Sequence, residues 1–199
     1  MVGIFLCDVQ GTGVRAALGT ALIRGIVQEI ADFGMDPGAY LTRMNHLLAP
    51  LLHQERVPFE VRACYLVLDV STGKIRLANA GHLLPILIRQ GKTQWLFENP
   101  QAQGPALVVE PTVTYPTVEC TIVPDDRVVL FTDGLYAVKD KDGRLYGEEG
   151  ILASAAKHAG EPLAMLFKSL EADACLFSSS GAFLDDVCLV GLQFSRFVG

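Results

Sequence analysis

Leu18, Leu22, Ile26 and Ile30 recur every four residues while Thr20, Arg24 and Gln28 take the other side, so the spacing predicts an amphipathic helix from about Val14 to Asp32. Before it, Val2 to Cys7 is a short apolar, partly β-branched run that meets Asp8 and the turn formers Gly11 and Gly13. That pattern predicts a buried strand delivering a carboxylate into a loop. Asp36 and Pro37 form an N-cap and first-turn pair, and Leu41, Met44, Leu48 and Leu51 or Leu52 continue at helical spacing to about His53, which gives a second helix and a hairpin. After Pro58 the period changes to that of strands: Val61 to Val70, the turn Ser71-Thr72-Gly73-Lys74, Ile75 to Ala80, then Leu84 to Arg89. Gln94 to Phe97, Thr112 to Tyr115, Val118 to Val123 and Arg127 to Phe131 are further strand candidates, separated by Pro100, Pro105, Pro111, Pro116 and Pro124. Helical spacing returns from about Gly147 to His158 and from Pro162 to Leu176, and a final strand is expected over Val187 to Phe194. Helices early, strands in the middle and helices late indicate an α+β fold with helices covering a mostly antiparallel sheet or pair of sheets.

The 199 residues, 50% of them hydrophobic and 19% charged, suit one domain with a sizeable core. A formal charge of -6 excludes a diffuse basic surface for nucleic acid or anionic lipid. Phosphate chemistry in such a chain needs local positive charge, and a bound divalent cation is the richest source compatible with so many carboxylates. Cys7, Cys64, Cys120, Cys175 and Cys188 are odd in number, widely spaced and mostly inside apolar runs, which reads as buried thiols in a reducing cytoplasm. The opening MVGIFLCDVQ is apolar for too few residues to be a membrane span or signal peptide, so a soluble cytoplasmic protein without membrane insertion is expected.

Three carboxylates share one local grammar, an apolar strand adjoining an Asp in a polar turn: Asp8 after Phe5-Leu6-Cys7, Asp133 after Val129-Leu130-Phe131-Thr132, and Asp185-Asp186 before Val187-Cys188-Leu189. A single Asp at a strand end is ordinarily a solvated turn residue. If the strands are neighbours, three carboxylates converge, and their mutual repulsion requires protonation or a cation. Mg²⁺ or Mn²⁺ suits such an all-oxygen ligand set.

The ordered motifs Asp8-Val9-Gln10-Gly11-Thr12-Gly13, Asn79-Ala80-Gly81-His82, Thr132-Asp133-Gly134-Leu135 and Asp185-Asp186-Val187 resemble bacterial PPM-class serine/threonine phosphatases of the stage II sporulation protein E type. The resemblance runs from Gly3 to about Phe194. It implies an α/β/β/α sandwich of two mostly antiparallel sheets flanked by helices, with a two-metal centre that hydrolyses phosphoserine or phosphothreonine. By motif, Asp8 is the carboxylate shared by both Mn²⁺ or Mg²⁺ ions, Val9 offers its carbonyl, and Asp133 and Asp185 complete one ion's set. Asp186 either braces a loop or binds a metal-bound water. The implied chemistry is attack by a metal-activated water, with the ions holding the phosphoryl oxygens. The implied substrate is a phosphorylated protein such as an anti-sigma-factor antagonist, and the helical hairpin over about 14–53 is the implied regulatory element.

The family carries a further aspartate in a Gly-Gly-Asp or similar segment upstream of the first motif, on a strand pair that this sequence, starting at Met1, does not contain. The expectation is either that the sequence is a fragment or starts at a different site, or that one ion is held firmly and the second weakly; loss of those strands would also expose a sheet edge that invites dimerisation or a partner segment. The alternative is a phosphatase-shaped binding module. Thr12 also departs from the His common between the two glycines. Arg15 lies near the Asp8 loop and is a candidate contact for substrate phosphate, whereas Arg24 reads as a solvated helix position. His82 is either an acid for the leaving group or, preferably, a residue that fixes its hairpin. Asp140-Lys141-Asp142-Gly143 fails as a calcium loop because Val138 stands where the first carboxylate is needed. The haloacid dehalogenase opening is approximated by Asp8-Val9-Gln10-Gly11-Thr12, but Gln10 replaces the required second aspartate and consecutive strands replace strand-helix alternation.

Overall fold

The computed structural model describes residues 1–52, 60–97 and 103–195. In chain order the elements are β1 (Val2–Val9), α1 (Gly13–Glu29), a 3-10 turn (Ala31–Phe33), α2 (Pro37–Leu52), β2 (Val61–Asp69), β3 (Lys74–Ala80), β4 (Ile86–Arg89), β5 (Lys92–Trp95), β6 (Gln103–Gly104), β7 (Val118–Thr121), β8 (Arg127–Phe131), α3 (Asp133–Tyr136), α4 (Gly147–Lys157), α5 (Leu163–Phe177) and β9 (Leu189–Gln193). The described residues form two units, 1–82 with 103–122 and 83–97 with 123–195. The architecture is α+β, with one sheet and its covering helices in each unit. None of the described helices is long and apolar enough to cross a membrane.

In the first unit the sheet runs β1-β2-β3-β6, and β7 also pairs with β3. All of these pairings are antiparallel except β3–β6. β1 extends past the expected Cys7 because its ladder with β2 continues through Asp8↔Arg62 to Val9↔Val61. On one face of this sheet α1 supplies Ile23 and Ile26, with Ile30 just past its end, and α2 supplies Leu41, Met44 and Leu48, against Ala63, Tyr65 and Val67 of β2. Tyr40 stacks on Tyr65 with ring centroids 4.2 Å apart.

Of the expected stripe Leu22, Ile26 and Ile30 face the core and Leu18 does not. Leu18 is 66% exposed and Val14 is 77% exposed, while Gly19, Ile23 and Ile26 turn inward. The helix is apolar on more than one side, so its period alone does not select the face that docks; the β-branched Ile23 and Ile26 do. α2 keeps the expected Leu41, Met44 and Leu48 in the core but exposes Leu51, and the expected end at His53 lies outside the described residues.

Thr112 to Tyr115 is a strap rather than the expected strand. Pro111 and Pro116 flank it, and its amides find partners outside a sheet: Tyr115 N–H donates to Thr42 Oγ1 of α2 at 3.0 Å and Val113 N–H to the Glu110 carbonyl at 3.3 Å. Upstream, the buried Asn45 accepts from Val108 N–H at 2.8 Å and donates to the Glu110 carbonyl at 2.8 Å. Those bonds hold Val108 at a φ of 75°, a left-handed conformation that a β-branched residue adopts only when fixed by its surroundings.

The second unit has the fully antiparallel sheet β5-β4-β8-β9. Ile151 and Ala155 of α4 and Leu166, Leu170 and Ala174 of α5 pack on Ile86, Ile88, Val129 and Phe131. Gly191 of β9 is small because of α5: an added Cβ would lie 2.6 Å from the Phe167 ring. At the sheet end Asp126, 1% exposed, receives Arg89 through Nε at 2.9 Å and Nη2 at 2.6 Å and also accepts the Val123 N–H. Such a pair is costly to break because it leaves a buried charge behind.

Asp36 caps α2 as its sequence predicts, with Oδ1 accepting the Gly38 and Ala39 amides at 3.0 and 3.3 Å and the Thr117 hydroxyl besides. The Thr117 hydroxyl first, and then the two amides, hold the Asp36 carboxyl below its ordinary value. A lowered folded value means that the cap stabilises at neutral pH and that this contribution is lost as the pH falls through the folded-state titration. Asp36→Ala should therefore cost about 1 kcal/mol at pH 7, and its difference from wild type should shrink in acid. Urea denaturation at neutral and acidic pH measures both.

Candidate functional site

The Asp133 region is assembled by backbone contacts within the second unit. β8 ends at Phe131, and the buried Thr132 turns the chain into α3, whose first residue is Asp133. Thr132 N–H donates to the Cys188 carbonyl at 3.1 Å, Cys188 N–H donates to Thr132 Oγ1 at 2.9 Å, and Thr132 Oγ1 donates to the Asp186 carbonyl at 3.2 Å. Gly134 closes the junction. An added Cβ there would lie 2.4 Å from the Asp186 carbonyl oxygen and 3.2 Å from that of Asp185, so only glycine lets the two segments meet. The Thr132-Asp133-Gly134 turn and the Asp185-Asp186 pair are thereby brought together although fifty residues of chain lie between them. Val187 and Cys188 were expected in the last strand; they serve this junction instead, and β9 begins at Leu189.

Asp185 and Asp186 are exposed and Asp133 is half-buried. Asp186 N–H donates to Asp185 Oδ1 at 2.8 Å, which fixes one carboxylate oxygen of Asp185. Leu184, just before the pair, is 82% exposed.

In the first unit Asp8 and Val9 are the last two residues of β1. Asp8 stands directly opposite Arg62 in the antiparallel ladder, so both side chains leave the same face of the sheet. Arg62 Nε also donates to Glu60 Oε1 at 2.9 Å, and the Gln10 N–H donates to the Glu60 carbonyl at 3.0 Å. The loop then turns through Gly11 and Gly13, whose φ values of 110° and 74° favour glycine, into α1. Arg15 is half-buried in the first turn. Burial pushes the Cys7 thiol up to about 11, and the neighbouring Asp8 carboxylate adds to the rise.

His82 is 5% exposed and closes the Asn79-Ala80-Gly81-His82 hairpin through its backbone: its N–H donates to Asn79 Oδ1 at 2.8 Å and its carbonyl accepts Asn79 Nδ2 at 2.8 Å. Gly81, at a φ of 71°, presses on the backbone of Ala106, where a Cβ would lie 2.9 Å from N. The five cysteines are free, but the expectation of buried thiols holds fully only for Cys64; Cys188 is exposed where its backbone serves the Thr132 junction, and Cys7, Cys120 and Cys175 are half-buried. Asp140 Oδ1 receives the Asp142 and Arg144 amides at 2.8 and 2.9 Å, a self-closed turn.

The donors carried by Asp8, Asp133, Asp185, Asp186 and the Val9 carbonyl are all oxygen, the set that suits a hard divalent ion. The Gly134 contact seats two of the strand-end Asp positions beside each other, which fits part of such a site. Among the described residues no three His, Cys, Asp or Glu side chains are grouped so as to hold a metal ion. Arg62 and the hydroxyl of Thr132 were not singled out from the sequence; aligning Val61 to Val70 antiparallel to the opening strand would have exposed the first.

Residues 1–195 match the family described as "Stage II sporulation protein E (SpoIIE)". The phosphoserine phosphatase RsbP of Bacillus subtilis (strain 168) is 26% identical over 134 residues, 67% of this chain. The chain spans about a third of that relative's length, the aligned region being 32% of it. Among solved structures, the SiaA-PP2C domain of Pseudomonas aeruginosa superposes with a TM-score of 0.81 at 21% identity, covering 97% of this chain and 76% of that one. RsbX in complex with magnesium gives 0.65 at 20% identity, covering 96% and 80%. These structural likenesses establish a PP2C-type fold.

Thr132→Val removes the hydroxyl that both accepts from Cys188 and donates to Asp186. It should destabilise the protein by about 1–3 kcal/mol and speed hydrogen exchange at the Cys188 amide, while Thr132→Ser restores most of the protection.

Proposed function

Because the chain belongs to the stage II sporulation protein E family, we propose that it is a metal-dependent phosphoprotein phosphatase, acting on phosphoserine or phosphothreonine in a cytoplasmic signalling protein of the anti-sigma-factor antagonist type. The observation that carries this reading is the Gly134 junction, which seats Asp133 beside Asp185 and Asp186 at a cost in sequence freedom that a solvated turn would not demand. Asp133 and Asp185 would hold one ion. Asp8 and the Val9 carbonyl, at the end of β1, would be further oxygen donors. Mn²⁺ or Mg²⁺ supplies, when bound, an activated water and positive charge for the phosphoryl oxygens.

The chain's own residues do the rest. The Asp186 amide orients Asp185 through Oδ1, and Asp186 itself braces the junction through its carbonyl. Arg15, in the first turn of α1, is the candidate for a substrate phosphate, since its guanidinium suits paired oxygens. His82 keeps its hairpin closed. The chain works as one phosphatase domain, with the hairpin of α1 and α2 as its regulatory element, because the loop leaving Asp8 runs directly into α1. The partner in this reading is a phosphorylated protein, not nucleic acid.

Manganese titration of the purified chain tests the reading. Hydrolysis of p-nitrophenyl phosphate should rise with Mn²⁺ and fall by at least a hundredfold in Asp133→Asn. Background rates at saturating Mn²⁺, with phosphoprotein binding intact, would make the chain a binding module instead.

A further inference from the structure

Asp8 stands across the ladder from a basic residue. Directly opposed residues of an antiparallel pair have Cα atoms roughly 4.5–5.5 Å apart, and Asp8 has Arg62 in that position. Val61 and Ala63, on either side of Arg62, belong to the core beneath the helices. By alternation Arg62 and Asp8 share the other face, in line with the pair Leu6↔Cys64, both buried. Apolar neighbours on one side strengthen the charge interaction relative to open water.

Arg62 also has a second acidic partner. Its Nε donates to Glu60 Oε1 at 2.9 Å, with the two side chains 39% and 29% exposed. Glu60 is held in turn at the loop, because its carbonyl accepts the Gln10 N–H two residues beyond Asp8.

We propose that Arg62 and Glu60 set the divalent-ion affinity of Asp8. Arg62 is the counter-charge against which an ion at Asp8 must compete. Glu60 is the alternative partner that takes up the guanidinium and lowers that competition. Both are positioning residues; neither touches substrate. The inference rests on the reading of Asp8 as a metal ligand.

Isothermal titration of the whole chain with Mn²⁺ at low salt tests it, with manganese EPR as a second readout. Repulsion between a guanidinium and a divalent ion at this separation, in partly solvated surroundings, amounts to roughly tenfold in affinity. Arg62→Gln should therefore bind Mn²⁺ about tenfold more tightly, and the gain should shrink as salt screens the charge. Glu60→Gln should bind about threefold more weakly. Lys92→Gln, the same charge change on β5 of the other unit, should bind as wild type. If Asp8→Asn abolishes binding while Arg62→Gln leaves it unchanged or weakens it, the inference is overturned and the metal reading stands. If Asp8→Asn, folded by circular dichroism, binds Mn²⁺ as wild type, the metal reading itself fails and takes the inference with it. A gain in Lys92→Gln equal to that in Arg62→Gln would reduce the effect to net charge and also overturn the proposal.

Discussion

A carboxylate at the end of a buried strand has to be answered, by a cation or by hydrogen bonds, or the strand does not end there. The two units meet that requirement differently. At the Asp133 junction it is the turn, not the carboxylate, that is held: the Thr132 hydroxyl and amide and the missing side chain of Gly134 lock it to Asp186 and Cys188. At Asp8 the ladder of β1 and β2 sets a basic residue, Arg62, directly opposite. The first arrangement is rigid whatever occupies it. The second is electrostatic and can be displaced by a stronger charge.

That difference bears on how each carboxylate would accept an ion. Carboxylates fixed by packing lose little entropy when they accept an ion, so they favour tight binding. A carboxylate already faced by a guanidinium yields it only to an ion that repays the loss. The helices matter here because each sheet is stiffened by its own core, Ile23 to Leu48 against β2 in one unit and Leu166 to Ala174 against β8 in the other. Close packing of that kind transmits displacement rather than absorbing it. A shift of α1, which begins four residues after Val9, would therefore be felt at the loop that leaves Asp8.

Much of this was legible in the sequence because local rules and tertiary context agree. Arg127–Phe131 is a strand in pattern and in structure, since its apolar run lies in the middle of a four-stranded sheet. Asp36 with Pro37 marks the start of α2 because capping is a local interaction. The misses have long-range causes. Thr112 to Tyr115 has strand composition, yet its amide partner is a helix side chain, Thr42. α1 carries apolar residues on two faces, and only the sheet decides that Ile23 rather than Leu18 goes inside. The strand-end position of Asp8 could be read from one segment, but Arg62 became visible only when two segments 54 residues apart were paired in register. The motif order pointed to the family; nothing local in it revealed that a threonine hydroxyl holds the Asp133 turn.

Anomalous diffraction from crystals grown with Mn²⁺ bears most directly on the three carboxylates. A manganese peak within coordination distance of Asp133 and Asp185 is the expected result. Ordered Asp8, Asp133 and Asp185 side chains with no manganese between them at saturating concentration would contradict it.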